Sequence, residues 1–273
     1  MSTFEHDGAT LWYDDQGSGV PLLVLHGGLG LDHTYLRTAF GTLVPEVRVV
    51  FLDLRANGRS TGDADLTMGR LADDVDALRA HLGLGRVAVF GHSYGGFVAL
   101  QYALDHGDRL SHLVVCDSDT CGPKPETMVA GLERLGLDPG LLAAFETPIE
   151  STSDLLDLFD VVEPAYFPHS PPGTARAGLA DTIWRVEGSE GGESALEGWD
   201  VADRLGEIAV PTLVMTGADD FMFPPERARL MADALPRSTL TIFDSCGHLP
   251  NVEAPEAFTA ALRGFLLGQR LDS

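Results

Sequence analysis

Val87-Ala88-Val89-Phe90-Gly91-His92-Ser93-Tyr94-Gly95-Gly96-Phe97 is the stretch that decides the fold. Its first four residues are apolar without alternation, as in a strand buried on both faces. A G-x-S-x-G turn follows, Gly91 to Gly95, and a helical run opens over Phe97–Leu104. Strand, tight turn and helix in that order lift the central serine onto a strained elbow above a sheet. Gly91 and Gly95 let such a turn close without Cβ clashes, and Gly96 lets helix and strand approach. Read alone, Ser93 would be an ordinary helix N-cap; the surrounding pattern favours the elbow.

Working outward, similar apolar runs recur at Leu22–Leu25, Val47–Leu54, Leu113–Cys116, Thr212–Thr216 and Thr239–Phe243. Segments of helical period lie between them. Met68, Leu71, Val75, Leu78 and Leu82 make one apolar stripe, with Asp73, Asp74 and Asp76 off it and expected to face water. This alternation predicts an α/β fold, a mostly parallel central sheet flanked by helices. A short hairpin, Thr10–Tyr13 and onward through Gly17-Ser18-Gly19, is expected before the first parallel strand. The alternation stops between Gly122 and Asp200. Helical pieces appear there instead, at Glu126–Leu135, Leu141–Phe145 and Asp154–Val162, followed by the proline-rich Tyr166-Phe167-Pro168-His169-Ser170-Pro171-Pro172-Gly173. The strand–helix pattern resumes at Val210-Pro211-Thr212. We therefore expect a core of residues 1–121 and 201–273, with residues 122–200 inserted as a helical cap.

Composition narrows the partners. Among 273 residues, 41 Asp and Glu stand against 18 Lys and Arg, a formal net charge of −23 that repels nucleic acid and anionic membranes. No apolar run is long enough to span a bilayer, and the first residues lack the basic and apolar regions of a signal peptide. Cys116, Cys121 and Cys246 show no metal-ligand spacing and read as free thiols of a cytoplasmic protein. Nothing in the sequence speaks to oligomeric state.

A serine hydroxyl needs a general base and an acid that orients it. His248 sits in Asp244-Ser245-Cys246-Gly247-His248-Leu249-Pro250, just after the run Leu240–Phe243, where open α/β sheets place their chemistry. Met215-Thr216-Gly217-Ala218-Asp219-Asp220 offers two adjacent carboxylates at another strand end, and spacing does not choose between them. An oxyanion needs backbone N–H donors. Tyr94, after the serine, supplies one, and the glycine-rich loop His26-Gly27-Gly28-Leu29-Gly30 supplies the other. That loop lacks G-x-G-x-x-G, so no dinucleotide is implied, and no metal or organic cofactor is required.

With these pieces in place the chain resembles an α/β-hydrolase along essentially its whole length. More narrowly, it resembles the proline iminopeptidase-like branch. The segments that carry the likeness are His26–Gly30, Asp53-Leu54-Arg55-Ala56-Asn57-Gly58-Arg59-Ser60, Gly91–Gly96, Pro211–Asp220 and Gly247-His248. The family pattern G-x-x-D-x-x-x-P aligns Gly217 and Pro224, which implies Asp220 as the triad acid. The likeness also implies Gly28 as the loop donor, with Leu29 as the alternative, and a helical cap between the sixth and seventh family strands. Two departures bear on substrate. Leu29 replaces the proline usual in the first loop. Phe221 occupies the position where iminopeptidases place a carboxylate to hold the substrate's amino group. Glu197 stands as the other half of that clamp, so Glu197 and Phe221 are the candidate substrate-binding residues.

The resemblance thus implies a serine hydrolase with the triad Ser93, Asp220 and His248 and an oxyanion hole at Gly28 and Tyr94. Its substrate would be a small neutral or cationic ester or amide, cleaved through an acyl-enzyme. A proline iminopeptidase-type aminopeptidase is the alternative within that chemistry. A non-catalytic small-molecule receptor is the reading from a different class. Residues 122–200 hold 15 acids and 4 bases, so nearly half of the net charge lies on the expected cap, where it would disfavour anionic substrates.

Overall fold

The computed structural model describes residues 2–44 and 46–268. Its sheet contains β1 (Ser2–His6), β2 (Ala9–Gln16), β3 (Val20–Leu25), β4 (Val47–Leu52), β5 (Val87–His92), β6 (Leu110–Cys116), β7 (Thr212–Gly217) and β8 (Ser238–Phe243). The spatial order is β1-β2-β4-β3-β5-β6-β7-β8. β1, β2 and β4 pair antiparallel, and every pairing from β4–β3 to β7–β8 is parallel. The chain leaves β3 to one side for β4 and returns to its other side for β5. The crevice outside the carboxyl ends of β3 and β5 is therefore a topological switch point, the place where open sheets hold ligands.

The helices on the core are α1 (Arg37–Gly41), α2 (Met68–His81) and α3 (Tyr94–Asp105). Between β6 and β7 come α4 (Pro125–Arg134), α5 (Thr152–Tyr166), α6 (Thr174–Gly178) and α7 (Val186–Leu196), and after β7 come α8 (Pro225–Ala234), α9 (Pro250–Glu253) and α10 (Pro255–Leu267). Leu23 and Leu25 pack with α2, α3 and α8 on one face, while Leu22 and Val24 pack with α1 and α10 on the other. Both faces are covered, so side chains alternate in direction without alternating in polarity. No helix among the described residues is long and apolar enough to cross a membrane.

Three expectations change. The hairpin turn is Asp7-Gly8, both with positive φ, between β1 and β2; Gly17–Gly19 instead carry the chain from β2 past β4 into β3. An Asp-Gly pair suits the tight two-residue turn whose twist matches the strands. Asp74 does not face water. It is fully buried against Arg55, whose Nε and Nη2 donate to its two oxygens at 2.8 and 2.6 Å. Finally, α3 starts at Tyr94 with no intervening loop, so Ser93 itself is the junction. The ends of the segment between β6 and β7 meet: Cys121 bridges to Asp200, and the Val201 amide donates to Thr120 O at 2.9 Å.

Candidate active site

Ser93 joins β5 to α3 with φ 51° and ψ −118°, a conformation that ordinary L-residues avoid at a cost of about 1–3 kcal/mol. Surrounding contacts impose it. The Ser93 amide donates to Cys116 O at 2.9 Å, and Ser93 O accepts from the Gly96 amide and from Ser118 Oγ, both at 2.8 Å. A Cβ on Gly91 would overlap Gly95 O, and one on Gly95 would overlap Leu25 O, so the turn and the helix start are wedged against the sheet. The next residue, Tyr94, opens α3, where unpaired amides and the helix dipole favour negative charge.

His248 and Asp220 come from the loops after β8 and β7. His248 Nδ1 lies 2.9 Å from Asp220 Oδ2, and both residues are buried. A carboxylate here only accepts, so Nδ1 carries the hydrogen and Nε2 is left with its lone pair. Asp220 Oδ1 accepts from the Met222 and Phe223 amides at 2.8 and 3.1 Å. Burial alone would raise the Asp220 carboxyl. The His248 imidazole and the two amides outweigh it and hold the group below the ordinary carboxylate range. Asp219 serves elsewhere, with its Oδ2 2.6 Å from His169 Nε2. The carboxylate that meets His248 is thus Asp220.

His92 joins this loop to the sheet. Its Nε2 lies 2.9 Å from His248 O, which can only accept, so Nε2–H donates and Nδ1 takes the hydroxyl hydrogen of Tyr35 at 2.7 Å. Burial, with His248 close by, pushes His92 down to about 3, so it stays neutral at working pH. Residues between β6 and β7 hold the same loops from the other side. The His248 amide donates to Tyr166 O at 3.1 Å, and Arg134 Nη2 donates to Asp220 O at 2.8 Å. Gly131 of α4 lies so close that a Cβ would overlap Phe221 O.

In the loop after β3, the Gly27 amide donates to Tyr35 Oη at 2.7 Å and the Gly30 amide to Asn57 Oδ1 at 2.8 Å. Gly28 and Leu29 lie between them, Gly28 with φ 67°, and both line the cavity that holds Ser93. That cavity has a volume of about 350 Å³ and a mostly apolar wall that includes Tyr94, Phe97, Phe145, Phe159 and Leu196. A smaller space of about 60 Å³ lies where Ser93 and His248 share a wall with Tyr35 and Leu249. A cleft of about 730 Å³ at the opposite ends of the strands, near Arg86, His112 and Arg237, includes neither residue.

The two candidate substrate-binding residues fall outside the Ser93 cavity. Phe221 is buried among Leu132, Ala165 and Tyr166, where its ring seats α4 and α5. Glu197 lies along a surface depression with Leu66, Thr67 and Trp199, because α7 ends at Leu196 and the chain turns away. The carboxylate that does line the cavity is Glu193, one helical turn earlier. Sequence reasoning also passed over Asp117, directly after β6, which lies beside Asp220 and His248. One ligand atom from each of the three lies within 4.8 Å of the others, close enough to suggest a metal. Their atoms are already committed: Asp220 to three N–H donors, His248 Nδ1 to Asp220, and Asp117 Oδ1 to the Gly217 amide at 2.8 Å. The trio fits a hydrogen-bonded cluster better than a cation site.

A family model described as the α/β hydrolase fold matches residues 20–255. A protein of Caulobacter sp. strain K31, provisionally named carbamate hydrolase RutD, is 33% identical over 258 residues, 90% of this chain and 91% of its own. The proline iminopeptidase PfmaB of Pestalotiopsis fici is 27% identical over 278 residues, 96% of this chain and 98% of its own. Among solved structures, a malate-bound thermophilic esterase from Thermogutta terrifontis superposes with a TM-score of 0.78 at 29% identity, covering 98% of this chain and 97% of that one. Sheet order, elbow and relatives agree: the chain belongs to the α/β hydrolase fold family and is a hydrolase.

Proposed function

We propose that the chain is a serine hydrolase in which Ser93 is the nucleophile, His248 the general base and Asp220 the orienting acid. The observation that carries this reading is the buried His248–Asp220 pair, its free Nε2 on the same cavity wall as a strained Ser93. Ser93 Oγ attacks an ester or amide carbonyl while His248 Nε2 takes its proton. Asp220 holds the imidazole tautomer and balances the imidazolium that forms. The oxyanion is held by the Tyr94 amide at the start of α3 and by Gly28 in the loop after β3. His248 then protonates the leaving group, and water releases the acyl group by the reverse sequence. Residues 122–200 act as the cap. They supply much of the apolar wall, which suits an apolar acyl group, and the wall contains no arginine or lysine to attract an anion. Ser93→Ala should lose about 10⁴–10⁶ of turnover on an activated ester. It should also escape a fluorophosphonate probe that labels the wild type. Undiminished turnover in this variant would end the proposal.

Glu193 supports a second reading, an aminopeptidase, since a carboxylate on the cavity wall can pair with a substrate ammonium. Under that reading a free-amine prolyl amide is cleaved faster than its N-acylated twin, and Glu193→Gln removes the preference. Equal rates on the two substrates would leave the ester and amide reading alone.

A further inference from the structure

Asp117 is a buried carboxyl with no part in the chemistry above. It follows β6 with φ 46° and is fully excluded from solvent. Its Oδ1 accepts from the Gly217 amide at 2.8 Å, its Oδ2 lies 2.9 Å from Cys116 Sγ, and one of its oxygens lies within 4.8 Å of both Asp220 and His248. Two ionised carboxyls beside a neutral imidazole would put two like charges in one dry site, which is unfavourable unless one holds a proton. Hydrogen-bond donors decide which one. Asp220 has three N–H donors, from His248, Met222 and Phe223, whereas Asp117 has the Gly217 amide and the weaker S–H donor of Cys116. The charge settles on Asp220 and the proton on Asp117.

We infer that Asp117 is a positioning residue, a neutral carboxylic acid whose O–H donates to the Asp220 carboxylate and steadies the group against which His248 is aligned. The inference rests on the triad reading proposed above. Burial and the adjacent Asp220 charge both push the Asp117 carboxyl well above the ordinary range, in agreement with the donor count. The other titratable groups around it are Cys116 on β6, Cys246 and His248 after β8, and Tyr35. Burial raises both thiols and the phenol, so none of these three competes as a charge at neutral pH.

Three variants test this. Asp117→Asn keeps the volume and an N–H donor, so its kcat should stay within about threefold of wild type, with the acidic limb of kcat/KM unmoved. Asp117→Ala removes the donor. Asp220 then concentrates its charge on His248, and the imidazole holds its proton to higher pH. Its kcat should fall about tenfold at unchanged KM, and the acidic limb should move up by about half a pH unit. A merely structural role would lower activity with the folded fraction and leave the limb in place. Asp117→Leu, with the same branched side-chain skeleton and equally unable to donate, is read in the same way if the alanine variant does not fold. An unmoved limb in folded Ala or Leu variants, an equal shift in Asn, or folding by Asn alone would each overturn the inference. If Ser93→Ala is inactive while the limb stays put, Asp117 fails alone; if Ser93→Ala keeps its turnover, the triad reading fails.

Discussion

The loop that carries Ser93 and the loops that carry Asp220 and His248 are held in place by different parts of the molecule. The Ser93 elbow is wedged from below, by β6 through Cys116 O, by Ser118 and by the close approach of Gly91 and Gly95 to backbone. The Asp220 and His248 loops lean on the segment between β6 and β7. Arg134 donates to Asp220 O, Gly131 lies flush on Phe221, and Tyr166 O receives the His248 amide. His92 is the tie between the halves, donating from β5 to His248 O. Ser93 is thus set by the core, whereas Asp220 and His248 also depend on helices that form the wall of the cavity. Under the serine-hydrolase reading proposed above, a cap built this way would do more than cover substrate, because its docking would help to align Asp220 and His248 for proton transfer.

The largest test of this contrast lies in the core. Gly91→Ala drives a Cβ into Gly95 O, and we expect a loss of stability upwards of about 3 kcal/mol in denaturant titrations. Stability equal to wild type would mean that the elbow is not wedged as described. A smaller and more selective effect is expected from Gly131→Ala, whose Cβ would overlap Phe221 O and push α4 off the Asp220 loop. The core does not depend on that contact, so kcat should drop about tenfold while most of the stability survives. Arg134→Met deletes only the bond to Asp220 O, and about a threefold fall in kcat with KM nearly constant is the expected result. Should both variants change KM alone, the segment between β6 and β7 would serve substrate binding and not alignment.

Much of this was legible in the residues. The continuous apolar runs marked the parallel strands because both faces of the sheet are covered, and G-x-S-x-G after such a run marked the elbow. Asp219 and Asp220 were indistinguishable by spacing, and the structure separates them by partner, His169 for one and His248 for the other. α7 left no periodic signal, since Gly188, Gly191 and Gly192 occupy positions where an apolar stripe would be sought. These glycines exist for closeness: a Cβ on Gly188 would meet Asn57 at 2.7 Å, and one on Gly191 would meet Ala64 O at 2.8 Å. Glu197 was singled out by the family likeness, whereas the carboxylate that lines the cavity is Glu193, one turn earlier on α7.

By itself, then, the sequence determined the order of the parallel strands, the serine turn and the strand ends that would bear acid and base. Those features follow from local propensity, glycine geometry and the period of apolar residues, all of which are written along the chain. The family likeness implied Asp220 over Asp219, but only the tertiary structure showed it meeting His248, where Phe221 and Glu197 go, and that Asp117 joins the pair. These depend on distances between residues far apart in the chain, such as the 2.9 Å from His248 to Asp220 and the 4.8 Å that encloses Asp117 with them. Burial makes those distances matter, because a charge removed from water is governed by the few groups that touch it.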